Sequence, residues 1–183
     1  MSKASQKILY TAESLFNRDS FSRIGVDLIR DESGCSKTTL YTHFKNKQQL
    51  VEEVLKTRDL NFRESLSLFI GNAQDLTALE LIFDWHVAWF KQDNFKGCLF
   101  IRAVSESTSE EQTIIHIAQQ HKQWLYQFIN INIVEMKNKN EVTELFYTFL
   151  ESMISRILVE GLNQDFIQTQ KQLLFRLISL LQV

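Results

Sequence analysis

Apolar residues recur at helical spacing along most of the chain. Between residues 5 and 16, Ile8, Leu9, Ala12, Leu15 and Phe16 alternate with polar positions at the 3–4 spacing of a helix with one buried face. Asn17-Arg18-Asp19-Ser20 interrupts this pattern, and Phe21 and Ile24 lead into a short second helix over 26–33. There Val26 and Ile29 face inward, with the stem of Arg30 beside them. Gly34 follows where a helix end favours a residue tolerant of positive φ. Ser36 is a good N-cap for a third helix, since its hydroxyl can accept from an otherwise unpaired N–H of the first turn. Leu40, Tyr41 and Phe44 carry that helix for barely two turns. Lys45-Asn46-Lys47 ends it, and Leu50, Val51, Val54 and Leu55 open a longer helix running to about Ile70. Further helices are predicted over 77–92, 97–106, 110–137, 142–162 and 166–181, about nine in all.

Composition supports the helical reading. The 183 residues include no Pro and only five Gly, which removes most of the punctuation that hairpins, sandwiches and barrels need. The expected fold class is all-α: a three-helix helix-turn-helix head over 1–48 and a helical body over 49–183. Residues 1–56 carry nine Lys/Arg against seven Asp/Glu, and the remainder eleven against fifteen, so a net charge of −2 hides a mildly basic head on an acidic body. That distribution suits contact with a polyanion at one end. The N-terminal residues lack an apolar signal stretch and no apolar run reaches membrane-spanning length, so the expected location is the cytoplasm, with no membrane partner. Cys35 and Cys98 stand far apart without a CxxC pattern. A redox role is conceivable, but two small buried hydrophobes is the plainer reading.

Helix, glycine turn, short helix is the order of a helix-turn-helix, whose second member enters the major groove. An inert helical hairpin shares that spacing, but Ser36, Lys37, Thr38, Thr39, Tyr41, Thr42 and His43 concentrate hydrogen-bonding groups on a helix that an ordinary surface would fill with Glu, Ala and Gln. The run Gly34-Cys35-Ser36-Lys37-Thr38-Thr39-Leu40-Tyr41-Thr42-His43-Phe44-Lys45-Asn46-Lys47-Gln48-Gln49-Leu50 resembles the G-V-S-x-x-T-L-Y-x-H-F-x-x-K-x-x-L motif of the tetracycline-repressor (TetR) family. Upstream, Ala12, Leu15-Phe16, Phe21, Val26 and Ile29 occupy the core places of that family's head. Three positions depart from its pattern: Ser20 replaces a Gly, Gly25 stands at the Ser/Thr cap of the second helix, and Arg30 replaces a small Ala. A guanidinium at position 30 must snorkel outward or pair with Asp27 or Asp31.

The resemblance implies a dimeric DNA-binding regulator. It assigns Tyr41, His43 and Lys47 to phosphate contacts, and Ser36 to capping the third helix and presenting its N-terminus to a phosphate. Lys37, Thr38, Thr39 and Thr42 would face the groove, Lys37 donating to guanine and the Thr methyls meeting thymine methyls. Ser22 and Arg23 add backbone contacts, while Leu40 and Phe44 belong to the core.

In the body, Trp85, His86, Trp89, Phe90, Phe100, Trp124 and Phe128 are candidates to line a cavity for a small apolar or aromatic effector, with His86, His116 or His121 as polar anchor. For any single ring, core is the plainer reading. Phe146, Phe149, Leu150, Met153 and Ile157, with Leu173, Leu174, Leu177, Ile178 and Leu181, form two stripes suited to a four-helix homodimer bundle or to the chain's own core. The head favours the dimer, because one helix-turn-helix reads too few base pairs. Gly97-Cys98-Leu99 resembles a turn found in part of the family. No phosphate loop, HExxH, GxSxG, metal-ligand spacing or paired carboxylates point to catalysis, a metal or a cofactor. The expectation is a ligand-responsive regulator, a repressor by analogy, with a non-DNA-binding helical adaptor as the alternative.

Overall fold

The computed structural model describes residues 2–183, and among them nine helices and no strand. They are α1 (Lys3–Arg18), α2 (Val26–Ser33), α3 (Lys37–His43), α4 (Lys47–Ile70), α5 (Asp75–Phe90), α6 (Leu99–Glu106), α7 (Gln112–Asn132), α8 (Lys139–Glu160) and α9 (Gln164–Leu180). No described helix is long and apolar enough to cross a membrane. The helices form two compact units, one of residues 1–62 with 98–121 and one of 63–97 with 122–183. The backbone runs through position 48 inside α4 without a break.

In the first unit, α1 packs on α2 and α3. Ile8, Ala12, Leu15 and Phe16 from α1, Ile29 from α2, Leu40 from α3 and Leu50, Val54 and Leu55 from α4 are closed to solvent. Phe16 and Phe21 meet with ring centroids 4.9 Å apart. Leu99, Phe100 and Ala103 of α6 and Ile114, Ile117 and Ala118 of α7 extend the same apolar cluster. Burying each such side chain contributes about 1.5–3 kcal/mol, which is what holds helices as short as α2 and α3.

Local chemistry fixes the helix ends. Ser2 caps α1 by accepting from the Ser5 N–H, and Gly25 caps α2 with extended backbone and no side-chain bond. Arg30 resolves as a surface fork, donating to Asp27 at 2.8 Å and approaching Asp31 at 2.7 Å. Gly34 closes α2 with φ 61°, the left-handed region that costs a side-chain-bearing residue about 1–2 kcal/mol. At the start of α4, Asn46 Oδ1 accepts from the Gln49 N–H at 2.8 Å, while Gln49 Oε1 accepts from the Lys45 N–H at 2.8 Å. That reciprocal pair is a variant of the capping box.

In the second unit, α8 packs against α5 and α9, with Phe83, Phe146 and Leu174 enclosed. Gly97 is required twice over: its φ is 74°, and a Cβ there would lie 2.8 Å from Leu158 Cδ2. The expectation of a helix over 110–137 is corrected at its end, since α7 stops at Asn132. Asp75 draws the chain away from helical geometry there, its Oδ1 accepting from the N–H groups of Val134 at 2.7 Å and Glu135 at 2.9 Å. These contacts, the Glu135 N–H first, hold the Asp75 carboxyl below its ordinary pKa. Asn138 then takes left-handed backbone before α8 begins.

Candidate nucleic-acid interface

The third helix is built to present polar groups on one side and lock apolar ones on the other. Ser36 holds extended backbone, and its Oγ accepts from the Thr39 N–H at 3.0 Å. The Ser36 and Thr39 hydroxyls lie 2.8 Å apart, and the Thr42 hydroxyl donates to the Thr38 carbonyl at 2.8 Å. The last of these bonds occupies the Thr42 hydroxyl hydrogen and so favours a methyl contact from that residue. Leu40 and Phe44 are buried, 1% and 4% exposed, whereas Lys37, Thr38, Tyr41 and Thr42 are open and Thr39 and His43 half-buried. A helix anchored by Leu40 and its cap residue Phe44, with Lys37, Thr38, Tyr41 and Thr42 left open, has the geometry a groove requires.

The candidate contact residues differ in their surroundings. Arg23 is exposed, and its N–H is held by the Ser20 hydroxyl at 3.2 Å. The Lys37 ammonium lies 3.6 Å from Asp27, a carboxylate already engaged by Arg30. Sequence spacing had singled out Asp27 as a partner for Arg30 alone. His43 Nε2 lies 3.1 Å from the Ser2 hydroxyl, which ties the end of α3 to the cap of α1. Lys47 opens α4 half-buried, and burial lowers its ammonium pKa against the opposing pull of Glu106 and Glu111.

Two further residues grip the head, and sequence reading missed both. Arg102 of α6 donates to the backbone carbonyls of Phe16 at 3.3 Å, Asn17 at 3.2 Å and Asp19 at 2.7 Å. It thereby satisfies the acceptor groups that a helix end leaves unpaired. One turn on, Glu106 Oε2 accepts from the Ser22 N–H at 2.9 Å. Arg at i and Glu at i+4 read in sequence as a surface pair on one helix, and no local signal reveals that both reach another segment.

The candidate effector residues fall into separate groups. Trp85, His86, Trp89 and Phe90 line α5: Trp85 donates to the Ser65 hydroxyl at 3.1 Å, and fully buried His86 places Nδ1 2.7 Å from the Ile82 carbonyl. Trp124 and Phe128 stack on α7 with centroids 4.7 Å apart, Arg63 lying 5.1 Å from the indole. Phe100 belongs to the other compact unit, where it stacks at 3.8 Å on His121, itself 2.8 Å from Asp59. His116 lies on the surface beside Gln120.

Of the candidate dimer residues, Phe146, Leu150, Met153, Ile157, Leu174 and Ile178 are already buried within one chain. The reason is physical: α8 packs on α5 and α9 of its own chain, so a stripe records burial and not what buries it. Leu173 is exposed and Phe149, Leu177 and Leu181 half-buried. Leu158, Val159, Leu162 and Leu180 add exposed apolar surface that the stripe had not singled out.

A glycine turn joining a buried-and-capped pair of short helices on an all-helical chain defines the class, a helix-turn-helix protein. Residues 8–54 match the sequence model of bacterial regulatory proteins of the tetR family. A TetR-family transcriptional regulator from Streptomyces coelicolor shares the fold with a TM-score of 0.88 at 17% identity, over 98% of this chain and 96% of that one. One from Cytophaga hutchinsonii gives 0.78 at 11% identity over 100% and 98%. A cysteine mutant of the TetR-family regulator CifR, solved with 26-bp double-strand operator DNA, gives 0.79 at 14% over 95% and 96%. No curated protein matches the chain by sequence. Residues 8–54 are thus similar to the DNA-binding head of the tetR family, and the chain as a whole shares the fold of these regulators.

Proposed function

We propose that this protein is a transcriptional regulator that binds duplex DNA through α3 as a homodimer and represses until a small apolar or aromatic molecule enters its body. The observation that carries the reading is α3 itself. Leu40 and Phe44 lock it to the head while Lys37, Thr38, Tyr41 and Thr42 stay open to solvent beside a capped N-terminus. Residues 1–48 supply the contacts, with Lys37, Thr38, Thr39 and Thr42 reading base edges. Ser22, Arg23, Ser36, Tyr41, His43 and Lys47 hold phosphates. Residues 49–183 supply the pairing surface and the effector site, for which the α5 rings Trp85, Trp89 and Phe90 and the α7 stack Trp124 and Phe128 are the lining. The CifR complex with operator DNA supports the mode of binding for a chain of this fold.

The phosphate role of Lys47 is checked by salt dependence. Lys47→Ala should weaken binding to all duplex sequences alike and reduce the slope of log affinity against log salt by about 0.9, the contribution of one neutralised phosphate. An unchanged slope would show that its ammonium stays on the protein. A Lys37→Ala variant should instead lower the preference for one base position over its alternatives.

A further inference from the structure

Within the first unit a half-open cleft of about 270 Å³ lies between the start of α4 and the α6–α7 connection. Its apolar wall is Phe21, Val51 and Ile114, and its polar groups are Lys47, Glu106 and Glu111. Glu111 spends one oxygen on the Thr108 N–H at 2.8 Å, and Glu106 spends one on the Ser22 N–H at 2.9 Å. Among the described residues no hydrogen bond or ion pair holds the Lys47 ammonium, although it is partly desolvated and both carboxylates stand in the same cleft. The pull of Glu106 and Glu111 offsets the burial of this cation without giving it a hydrogen bond, and a ligand carboxylate would supply one. A ligand bearing only a carboxylate would meet two like charges, and one bearing only an ammonium would meet Lys47. A molecule carrying both, with an apolar portion for the Phe21 wall, matches all three.

We propose that this cleft is a binding site for a small zwitterion with an apolar body, of the size and charge of a free amino acid, and that its occupancy releases the head from DNA. The volume falls just below the roughly 300–1,000 Å³ of pockets for drug-sized ligands, which fits a metabolite of that size. Two contacts couple the site to the head. The ligand carboxylate competes with DNA phosphate for Lys47, and the ligand ammonium competes with the Ser22 N–H for Glu106. Either contact gives the ligand a differential affinity for the DNA-free state, which population shift requires. The release step rests on the DNA-binding reading above; binding in the cleft does not.

Three probes with one phenyl body separate the charge requirements: L-phenylalanine, phenylethylamine and 3-phenylpropionate. Calorimetry on the full chain without DNA should show L-phenylalanine binding at least ten-fold tighter than either singly charged probe. Lys47→Gln should erase its advantage over the amine, and Glu111→Gln should narrow its advantage over the acid, with circular dichroism confirming that both variants fold. Equal binding of the three probes, no binding of L-phenylalanine, or binding indifferent to both substitutions overturns the site. With DNA present, L-phenylalanine should lower affinity at least five-fold. Bound ligand with unchanged DNA affinity overturns the coupling, whereas a chain that never binds DNA but binds L-phenylalanine overturns only the DNA reading.

Discussion

Phe16→Ala is expected to destabilise the protein by about 3–5 kcal/mol, the range for truncating a fully buried aromatic. Phe16 is 0% exposed at the meeting of α1 with the rest of the head, and its ring lies 4.9 Å from Phe21. Removing it leaves a cavity beneath the segment that Arg102 also holds, since the Phe16 carbonyl is one of that guanidinium's acceptors. Denaturant unfolding should show a lower midpoint with an unchanged slope, and DNA binding should be lost with the head's order. Phe16→Leu, which keeps most of the volume, should cost less than about 1.5 kcal/mol. A loss below 1 kcal/mol for the alanine variant, within ordinary surface-like scatter, would show that the head does not depend on this contact.

The second large effect is on assembly. Leu173 lies on a face of α9 with half-buried Phe166 and Leu177 and exposed Leu180, a spacing that repeats along one side of the helix. Because Leu173 is 44% exposed in a single chain, Leu173→Glu should leave the folded protomer intact. Across a two-fold axis it would set a carboxylate against apolar surface and its own mate close by. Analytical ultracentrifugation should therefore show a monomer for the variant and, on the proposed homodimer, a dimer for the wild type. Operator affinity should fall by about 10²-fold or more, because joined heads gain the effective concentration that separate ones lack. A dimer that persists with unaltered affinity would move the pairing surface elsewhere.

How far the sequence carried these conclusions depended on whether a signal was local. The helix-turn-helix was legible because each part is encoded within a few residues: Gly34 for left-handed backbone, Ser36 for the cap, Leu40 and Phe44 for the anchored side. Arg30 was legible as a problem, and its two aspartates, three residues before and one after, proved to be the answer. The end of α7 was not, because its cause is Asp75, about sixty positions away. Arg102 and Glu106 were invisible for the same reason: their partners lie over eighty residues upstream. The apolar stripes of α8 and α9 announced burial, but that α5 of the same chain packs on α8 is something no periodicity in α8 encodes.

Selection from random duplex DNA, with salt varied, tests the central claim most directly. The exposed face of α3, paired through a two-fold axis, predicts recovery of a symmetric site whose half-sites lie about one helical turn apart, or a multiple of it. Lys37→Ala should then broaden the preference at one position in each half. Retention that depends on salt but enriches no sequence, or enrichment of a single asymmetric half-site, would contradict it.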